Sequence, residues 1–361
     1  MRLLFFASDY RIGLSALLTQ QAIALEKGNL NPVCLAGEKE QEPGLTEKMK
    51  ENKVPLIRIK GLDEHAGFKK LSNEIGTTIQ KNQIQQVHVQ NNWQLLLVAF
   101  YKYKNIIPKP FQIIHTLHGF RHNDPVKSII ATMVIGLILF LFANKIIVMS
   151  DYVKKRFFFL FYKIKKLYLG IDDTYFEKEK NKIETNRLKL VFPAQFREGK
   201  NQNVLIEAVA SYIRQTQDQH IELHLPGEGA LLNQCKKLAQ EKGIESNVFF
   251  PGQRTKLQIK DLYEQCNIGI ISSNSETFGQ SIVEPYVLGR CILSRKVGVA
   301  PDIIKEGING YFFDNEKDLV EKLIFLSTNK ELIKEIGDTN FSHRETFSWE
   351  TITALYKKTI L

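Results

Sequence analysis

From Glu276 through Thr277, Phe278, Gly279, Gln280 and Ser281 to Glu284 and Pro285, residue types that bind anions and hydroxyl groups stand close together. The apolar run Ile268–Ile271 before them predicts a strand, so this segment leaves a strand end and feeds a helix. Proline has no N–H and is cheap in a helix only near its first turn. Pro285 therefore predicts a helix beginning near Gly279–Ser281. The free N–H groups of Gly279–Ile282, with the positive end of the helix dipole behind them, form a ready anion site. Glu276 lies just before that site and Glu284 about one turn into the helix. An ionised carboxylate accepts from paired hydroxyls, which suits a sugar or a ribose. The same types also make an ordinary helix start with a favourable acid and a surface glutamate, and spacing leaves both readings open.

Other chemistry is thinly signalled. His115, His118 and His122 follow the predicted strand Gln112–Thr116. Their spacing would suit a metal on a helix, but Gly119 argues against one there, and no metal site is expected. There is no GxxxxGK[ST] loop, no HExxH, no GxSxG elbow and no convincing Asp-x-Asp. Gly227-Glu228-Gly229 lacks the third glycine of a dinucleotide fingerprint and reads as a strand-to-helix turn.

The elements that must position these residues alternate between short apolar runs and helical stretches, the pattern of parallel α/β sheets. Strands are expected at Leu3–Ala7, Asn31–Leu35, Gln86–Gln90, Gln112–Thr116 and Lys145–Met149. A second set is expected at Lys189–Pro193, Ile221–Leu225, Asn247–Phe250, Ile268–Ile271, Cys291–Ser294 and Tyr311–Phe313. The polar, charge-dense stretch from Asp172 to Arg187 separates them. The expected architecture is two doubly wound Rossmann-like domains, 1–170 and 188–340, joined by a linker at 171–187. They are expected to face each other across a cleft at the carboxyl ends of their strands. A C-terminal helix in 341–361 is expected to return toward the first domain.

With 361 residues, 43% hydrophobic and 24% charged, the chain is neither disordered nor a disulfide-dense miniature, and its length suits about two domains. The net charge of +10 is concentrated. Between Lys127 and Lys166 stand Lys127, Lys145, Lys154, Lys155, Arg156, Lys163, Lys165 and Lys166 against the single acid Asp151. That window is also greasy. Ile129–Ala143 carries no charge and is too short to span a bilayer, so it is expected to be a core helix of the first sheet. The run Phe157–Tyr162 is edged by basic residues and is expected to enter an anionic membrane surface along 154–166. No nucleic-acid motif interleaves the charges, and no nucleic-acid partner is expected. Cys34, Cys235, Cys266 and Cys291 are spaced like small buried hydrophobes of a reducing compartment. The opening apolar run is too short for a signal peptide, so the cytoplasm is expected.

Glu276 and Glu284, with seven residues between them, resemble the EX7E signature of retaining GT-B glycosyltransferases, especially glycosyltransferase family 4. The run Phe192-Pro193-Ala194-Gln195-Phe196-Arg197-Glu198-Gly199-Lys200-Asn201-Gln202 resembles the segment opening that family's second domain. Val248–Gln253 and Gly298–Gly310 resemble its later loops. The likeness spans essentially all of the second domain and more weakly the first.

The resemblance implies a retaining transfer of a sugar from a nucleotide-diphosphate donor, a UDP-sugar favoured, without metal or other cofactor. The acceptor would be a hydroxyl of a lipid-linked saccharide in bacterial surface polysaccharide or oligosaccharide assembly, at the inner face of the plasma membrane. Glu276 would bind donor-sugar hydroxyls, with Thr277, Phe278, Gly279, Gln280 and Ser281 beside it. Glu284 would bind the ribose and Lys200 would neutralise the diphosphate. The family pairs that lysine with an arginine where this chain has Gln195, and Arg197, on the same side if the segment is extended, would substitute. His118 matches the family's strand-end histidine near the sugar, and Gly13, in the loop after the first strand, matches a glycine that admits donor or acceptor. A sugar-nucleotide epimerase of the same fold and a non-catalytic sugar-nucleotide-binding protein are the alternatives.

Overall fold

The computed structural model describes all residues except 1, 8–11, 39–43, 63, 65–66, 105–110, 119–124, 177–183 and 361. The chain divides into two compact units, Met1–Asp172 with Trp349–Leu361, and Asp173–Ser348.

Unit 1 holds strands β1 Leu3–Phe6, β2 Pro32–Gly37, β3 Leu56–Ile59, β4 Gln86–Val89, β5 Gln112–Thr116, β6 Lys145–Val148 and β7 Ile164–Lys166. Its helices are α1 Ile12–Lys27, α2 Leu45–Glu51, α3 Phe68–Lys81, α4 Asn92–Lys104, α5 Pro125–Phe142 and α6 Asp151–Arg156. Unit 2 holds β8 Leu188–Val191, β9 Ile221–His224, β10 Val248–Phe249, β11 Ile268–Ile271, β12 Cys291–Ser294 and β13 Tyr311–Phe312. Between and after them run α7 Gln202–Thr216, α8 Leu232–Glu241, α9 Lys256–Gln265, α10 Gln280–Val287, α11 Ala300–Ile303, α12 Glu316–Thr328 and α13 Lys330–Ser342. The last helix, α14 Trp349–Ile360, belongs to unit 1.

Every strand pair is parallel, with orders β3-β2-β1-β4-β5-β6-β7 and β10-β9-β8-β11-β12-β13. Each sheet runs outward from its first strand and then reverses, the doubly wound order, and the reversal leaves a crevice at the carboxyl ends of β1 and β4 and of β8 and β11. Strands such as Leu3–Phe6 and Ile268–Ile271 are buried at every position because helices cover both faces.

Unit 1 takes in α14 through specific contacts. Buried His88 hydrogen-bonds through Nδ1 with the Tyr356 hydroxyl at 3.1 Å and through Nε2 with Thr116 Oγ1 at 2.6 Å. Gly170 makes room for the Trp349 ring, which a Cβ would approach to 2.3 Å. All four cysteines are free and buried, and burial pushes the Cys266 and Cys291 thiols up to about 12.

Three features depart from the sequence reading. β3 and β7 are strands that apolar runs did not announce, because β3 is only half-buried and β7 is an edge strand ending in exposed Lys165 and Lys166, a placement that discourages edge pairing. Phe157 and Leu160 are buried in the core of unit 1, so the run Phe157–Tyr162 is not uniformly available to a membrane. The expected core helix at 129–143 buries only one side, and eight of the large apolar side chains of α5 are exposed.

Candidate active site

The strand order of unit 2 explains why residues far apart in sequence meet. β8 and β11 flank its reversal point, so the loops leaving their carboxyl ends converge there. Lys200 ends the first loop and Glu276 lies in the second. Their side chains form an ion pair, each only 12% exposed. A charge pair so sheltered keeps more of its Coulomb attraction than a surface pair does.

Short polar contacts fix this pair from behind. The Ser272 hydroxyl donates to Lys200 O at 2.7 Å, and the Asn274 N–H donates to Gly199 O at 2.8 Å. Asn201, at a φ of 56°, donates from Nδ2 to Ser272 O at 3.0 Å and to Asn274 Oδ1 at 2.6 Å. The two loops are thus laced along their backbones, which sets the lysine and the glutamate at one spot.

α10 begins at Gln280 with Gly279 as its N-cap. The N–H groups of Ile282 and Val283 both donate to Gly279 O, at 2.9 and 3.3 Å. The anion-ready amides therefore narrow from the expected Gly279–Ile282 to those before Ile282, because the helix itself takes the Ile282 donor. Phe278 is buried and meets Phe347 edge-on at 6.3 Å, so its side chain anchors the turn. Its carbonyl accepts from Val299 N–H at 2.8 Å. Gly298, at a φ of 55°, presses on that turn, and a Cβ there would lie 2.3 Å from Phe278 O and 2.9 Å from Glu276 Cβ.

Pro285 cannot donate to the carbonyl four residues back, that of Ser281. Tyr263 on α9 supplies the missing donor, its hydroxyl lying 3.4 Å from Ser281 O. Burial first, and then the Glu284 carboxylate beside it, push the Tyr263 phenol well up. Tyr263 thus keeps its proton and braces α10 next to half-buried Glu284.

Gln195 is exposed, and Arg197 does not stand in an extended segment. Lys200 N–H donates to Arg197 O at 3.2 Å, which closes a turn. The same-side argument for Arg197 therefore fails. Arg197 instead lines a pocket of about 410 Å³ with Glu207, Gln234, Lys237 and Glu241, from α7 and α8. Gly227 and Gly229 serve this loop, since a Cβ on either would come within 2.1 Å of Ala194 O or 2.3 Å of Phe196 O.

In unit 1, His118 lies just beyond β5 and its Nε2 meets Oε1 of buried Gln90, beyond β4, at 2.8 Å. His115 is a core residue. Neither ring nitrogen has a hydrogen-bond partner among the described residues, and burial pushes its pKa down to about 3. Gly13 lies in the first turn of α1, not in a loop. His122 falls outside the described residues. Among the described residues no cluster of His, Cys, Asp or Glu could hold a metal ion.

Tyr263, Asn201, Ser272, Asn274 and Gly298 were not singled out from the sequence as site residues. Pro285 inside a helix was the one signal that pointed to Tyr263, since it implies an orphan carbonyl. The others act through backbone contacts between loops, which residue types do not announce.

Known proteins similar to this chain include glycosyltransferases. Residues 173–342 match the family described as Glycosyl transferases group 1. An uncharacterized glycosyltransferase of Methanocaldococcus jannaschii is 23% identical over 277 residues, 70% of this chain and 77% of the relative. The poly(ribitol-phosphate) alpha-N-acetylglucosaminyltransferase of Staphylococcus aureus is 28% identical over 138 residues, 37% of this chain and 27% of the relative. Anabaena HepE, solved in complex with UDP, superposes with a TM-score of 0.79 at 17% identity, covering 100% of this chain and 99% of that one. The chain therefore has the GT-B fold, two Rossmann-like parallel-sheet domains, and its second unit is similar to the glycosyl transferases group 1 family over residues 173–342.

Proposed function

We propose that this protein is a retaining glycosyltransferase that moves a hexose from a nucleotide-diphosphate donor to a hydroxyl of a saccharide acceptor. The observation that carries the proposal is the sheltered Lys200–Glu276 pair at the reversal point of a group 1 unit. Without donor the two charges satisfy each other. With donor, the diphosphate takes Lys200 and the Gln280 and Ser281 amides, while hydroxyls of the donor sugar take Glu276. Glu284, braced by Tyr263, accepts from the ribose. The family resemblance also implies roles for His118 and Gly13 toward the donor sugar. Arg197 is left out of the phosphate clamp, because its turn directs it toward α7 and α8.

In the transfer, the bond from the anomeric carbon to the diphosphate oxygen breaks and a bond to the acceptor oxygen forms on the same face. The acceptor proton passes to the leaving phosphate. Lys200 and the helix amides stabilise the negative charge that grows on the diphosphate, the kind of preorganised electrostatic effect that dominates many enzymes. No metal is needed in this scheme. A uridine donor is favoured by the likeness to HepE, which was solved with UDP-glucose. The basic, aromatic segment 154–166 favours a lipid-linked acceptor in surface polysaccharide assembly, met at the inner face of the plasma membrane.

Release of nucleotide from UDP- and GDP-hexoses, with and without saccharide acceptors, tests the proposal. UDP release that depends on acceptor, persists in EDTA and gives a product of retained configuration is expected. Glu276→Ala at saturating donor should lose most turnover. Near-wild-type turnover of that variant, or an epimerised sugar nucleotide formed without acceptor, would overturn the assignment.

A further inference from the structure

The outer face of α5 is apolar along its whole length. Val126, Ile129, Ile130, Met133, Val134, Leu137, Phe140 and Leu141 are 49% to 66% exposed. They recur at three- and four-residue steps and so share one helix face. The inner face buries Ser128, Thr132, Gly136 and Leu139, with Ile135, Ile138 and Phe142 packed against the core. Arg156 is drawn inward as well, donating to Thr132 Oγ1 at 3.0 Å and to Ser128 O at 3.2 Å. A helix on the surface of a water-soluble domain keeps a polar outer face.

The segment after α6 continues this surface. Phe158 and Phe161 are each 72% exposed, with Tyr162 and Phe159 beside them, while Phe157 and Leu160 hold the segment in the core. The Phe159 ring lies against Gly136, where a Cβ would come within 2.5 Å of it. The Lys163 ammonium donates to Phe140 O and Ala143 O at the end of α5 and sits 5.2 Å from the Phe140 ring centre. The two apolar sets are therefore one surface, holding twelve of the eighteen large exposed hydrophobic side chains among the described residues. At roughly 100 Å² each they present on the order of 1,000 Å², against a few hundred on an ordinary soluble monomer. Exposed Lys127, Lys154, Lys155 and Lys165 edge it, and the one acid between Lys127 and Lys166, Asp151, is paired with Lys166.

We propose that this surface is a monotopic membrane-docking face. α5 lies in the plane of an anionic bilayer with its outer side chains, Phe158, Phe161 and Tyr162 below the headgroups, while the edging lysines meet lipid phosphates. No helix among the described residues is long and apolar enough to cross a membrane, and α5 is held to the sheet along its inner side. A second copy of the chain is a poorer occupant, because a symmetric pairing would set one lysine edge against another with no acid to offset it. α5 starts seven residues after His118. Seven residues span at most about 25 Å, so docking keeps His118 within that reach of the start of α5. This proposal sharpens the membrane partner named above, and its test reads binding and not turnover.

The test is flotation of the full chain with vesicles of phosphatidylcholine alone or mixed with phosphatidylglycerol. Binding to the mixed vesicles is expected, weakened but not abolished by high salt. The outward triple variant Ile129→Ser, Met133→Ser, Leu137→Ser should bind at least about tenfold more weakly, with its tryptophan-monitored unfolding unchanged. Met133→Trp and Phe158→Trp should each add emission that brominated phosphatidylcholine quenches. Three results would overturn the proposal: no binding at low salt, quenching at 158 without quenching at 133, or a dimer in sedimentation that the triple variant abolishes.

Discussion

The two units share one strand order and use it differently. In unit 2 the unusual chemistry lies at the carboxyl ends of the strands, where Lys200 and Glu276 pair at the reversal point. In unit 1 the unusual features lie elsewhere. His88 and His115 are buried neutral under the sheet's end, and α5 turns its apolar side outward. The comparison teaches that a doubly wound sheet fixes where a ligand crevice can form, while its outer helix layer stays free to specialise.

The sharpest way to break the comparison is Lys200→Met. If unit 2 carries the charge of the leaving group, acceptor-dependent UDP release should fall by about 10²–10³-fold. A loss below tenfold would move the electrostatic work out of unit 2. Gly298→Ala tests the same site through its backbone. A positive φ and the collision with Phe278 O should lower the stability of unit 2 by about 2 kcal/mol. Both tryptophans, Trp93 and Trp349, belong to unit 1. The loss should therefore appear in far-ultraviolet circular dichroism and not in tryptophan emission.

Unit 1 should answer to pH through two fully buried histidines, whereas burial lowers His224 of unit 2 against the opposing pull of Glu222. His88 and His115 have folded-state pKa values below the ordinary 6.5, so between those values the unfolded chain binds protons that the folded chain refuses. Their contribution is whole above pH 6.5 and is lost as pH falls below it, at up to about 1.4 kcal/mol per pH unit for each histidine. Urea unfolding followed by tryptophan emission at pH 7 and pH 5.5 should show the drop. His115→Leu should shrink it by about half, and an unchanged slope would refute the role given to that histidine. The smallest effect is expected for Tyr263→Phe. Losing the donor to Ser281 O should cost about 1 kcal/mol and weaken UDP binding severalfold, as titration calorimetry would read.

Much of unit 2 was legible in the sequence. β11 and β12 are buried at every position and show as short apolar runs, β8 and β9 keep apolar residues at their buried positions, and Pro285 located the start of α10 to within a residue or so. Unit 1 was less so. β3 and β7 carry Arg58, Lys165 and Lys166 in place of continuous apolar runs. Arg197 was misplaced because a turn, not an extended strand end, carries it. α5 was misread as core because an apolar helix looks the same in sequence whichever side faces water.

By itself, the sequence determined the alternation of strands and helices, the position of the anion-ready helix start and the basic, greasy character of 127–166. These follow from local rules, namely burial period, the missing N–H of proline and charge counting. Only the tertiary structure decided which residues meet. The crossing of the β8 and β11 loops brought Lys200 to Glu276. The packing of Tyr263 supplied the donor that Pro285 lacks. The anchoring of α5 by Leu139 and Arg156 turned its apolar side outward. Each is a contact between segments distant along the chain, and strand order, which no local pattern encodes, sets all such contacts.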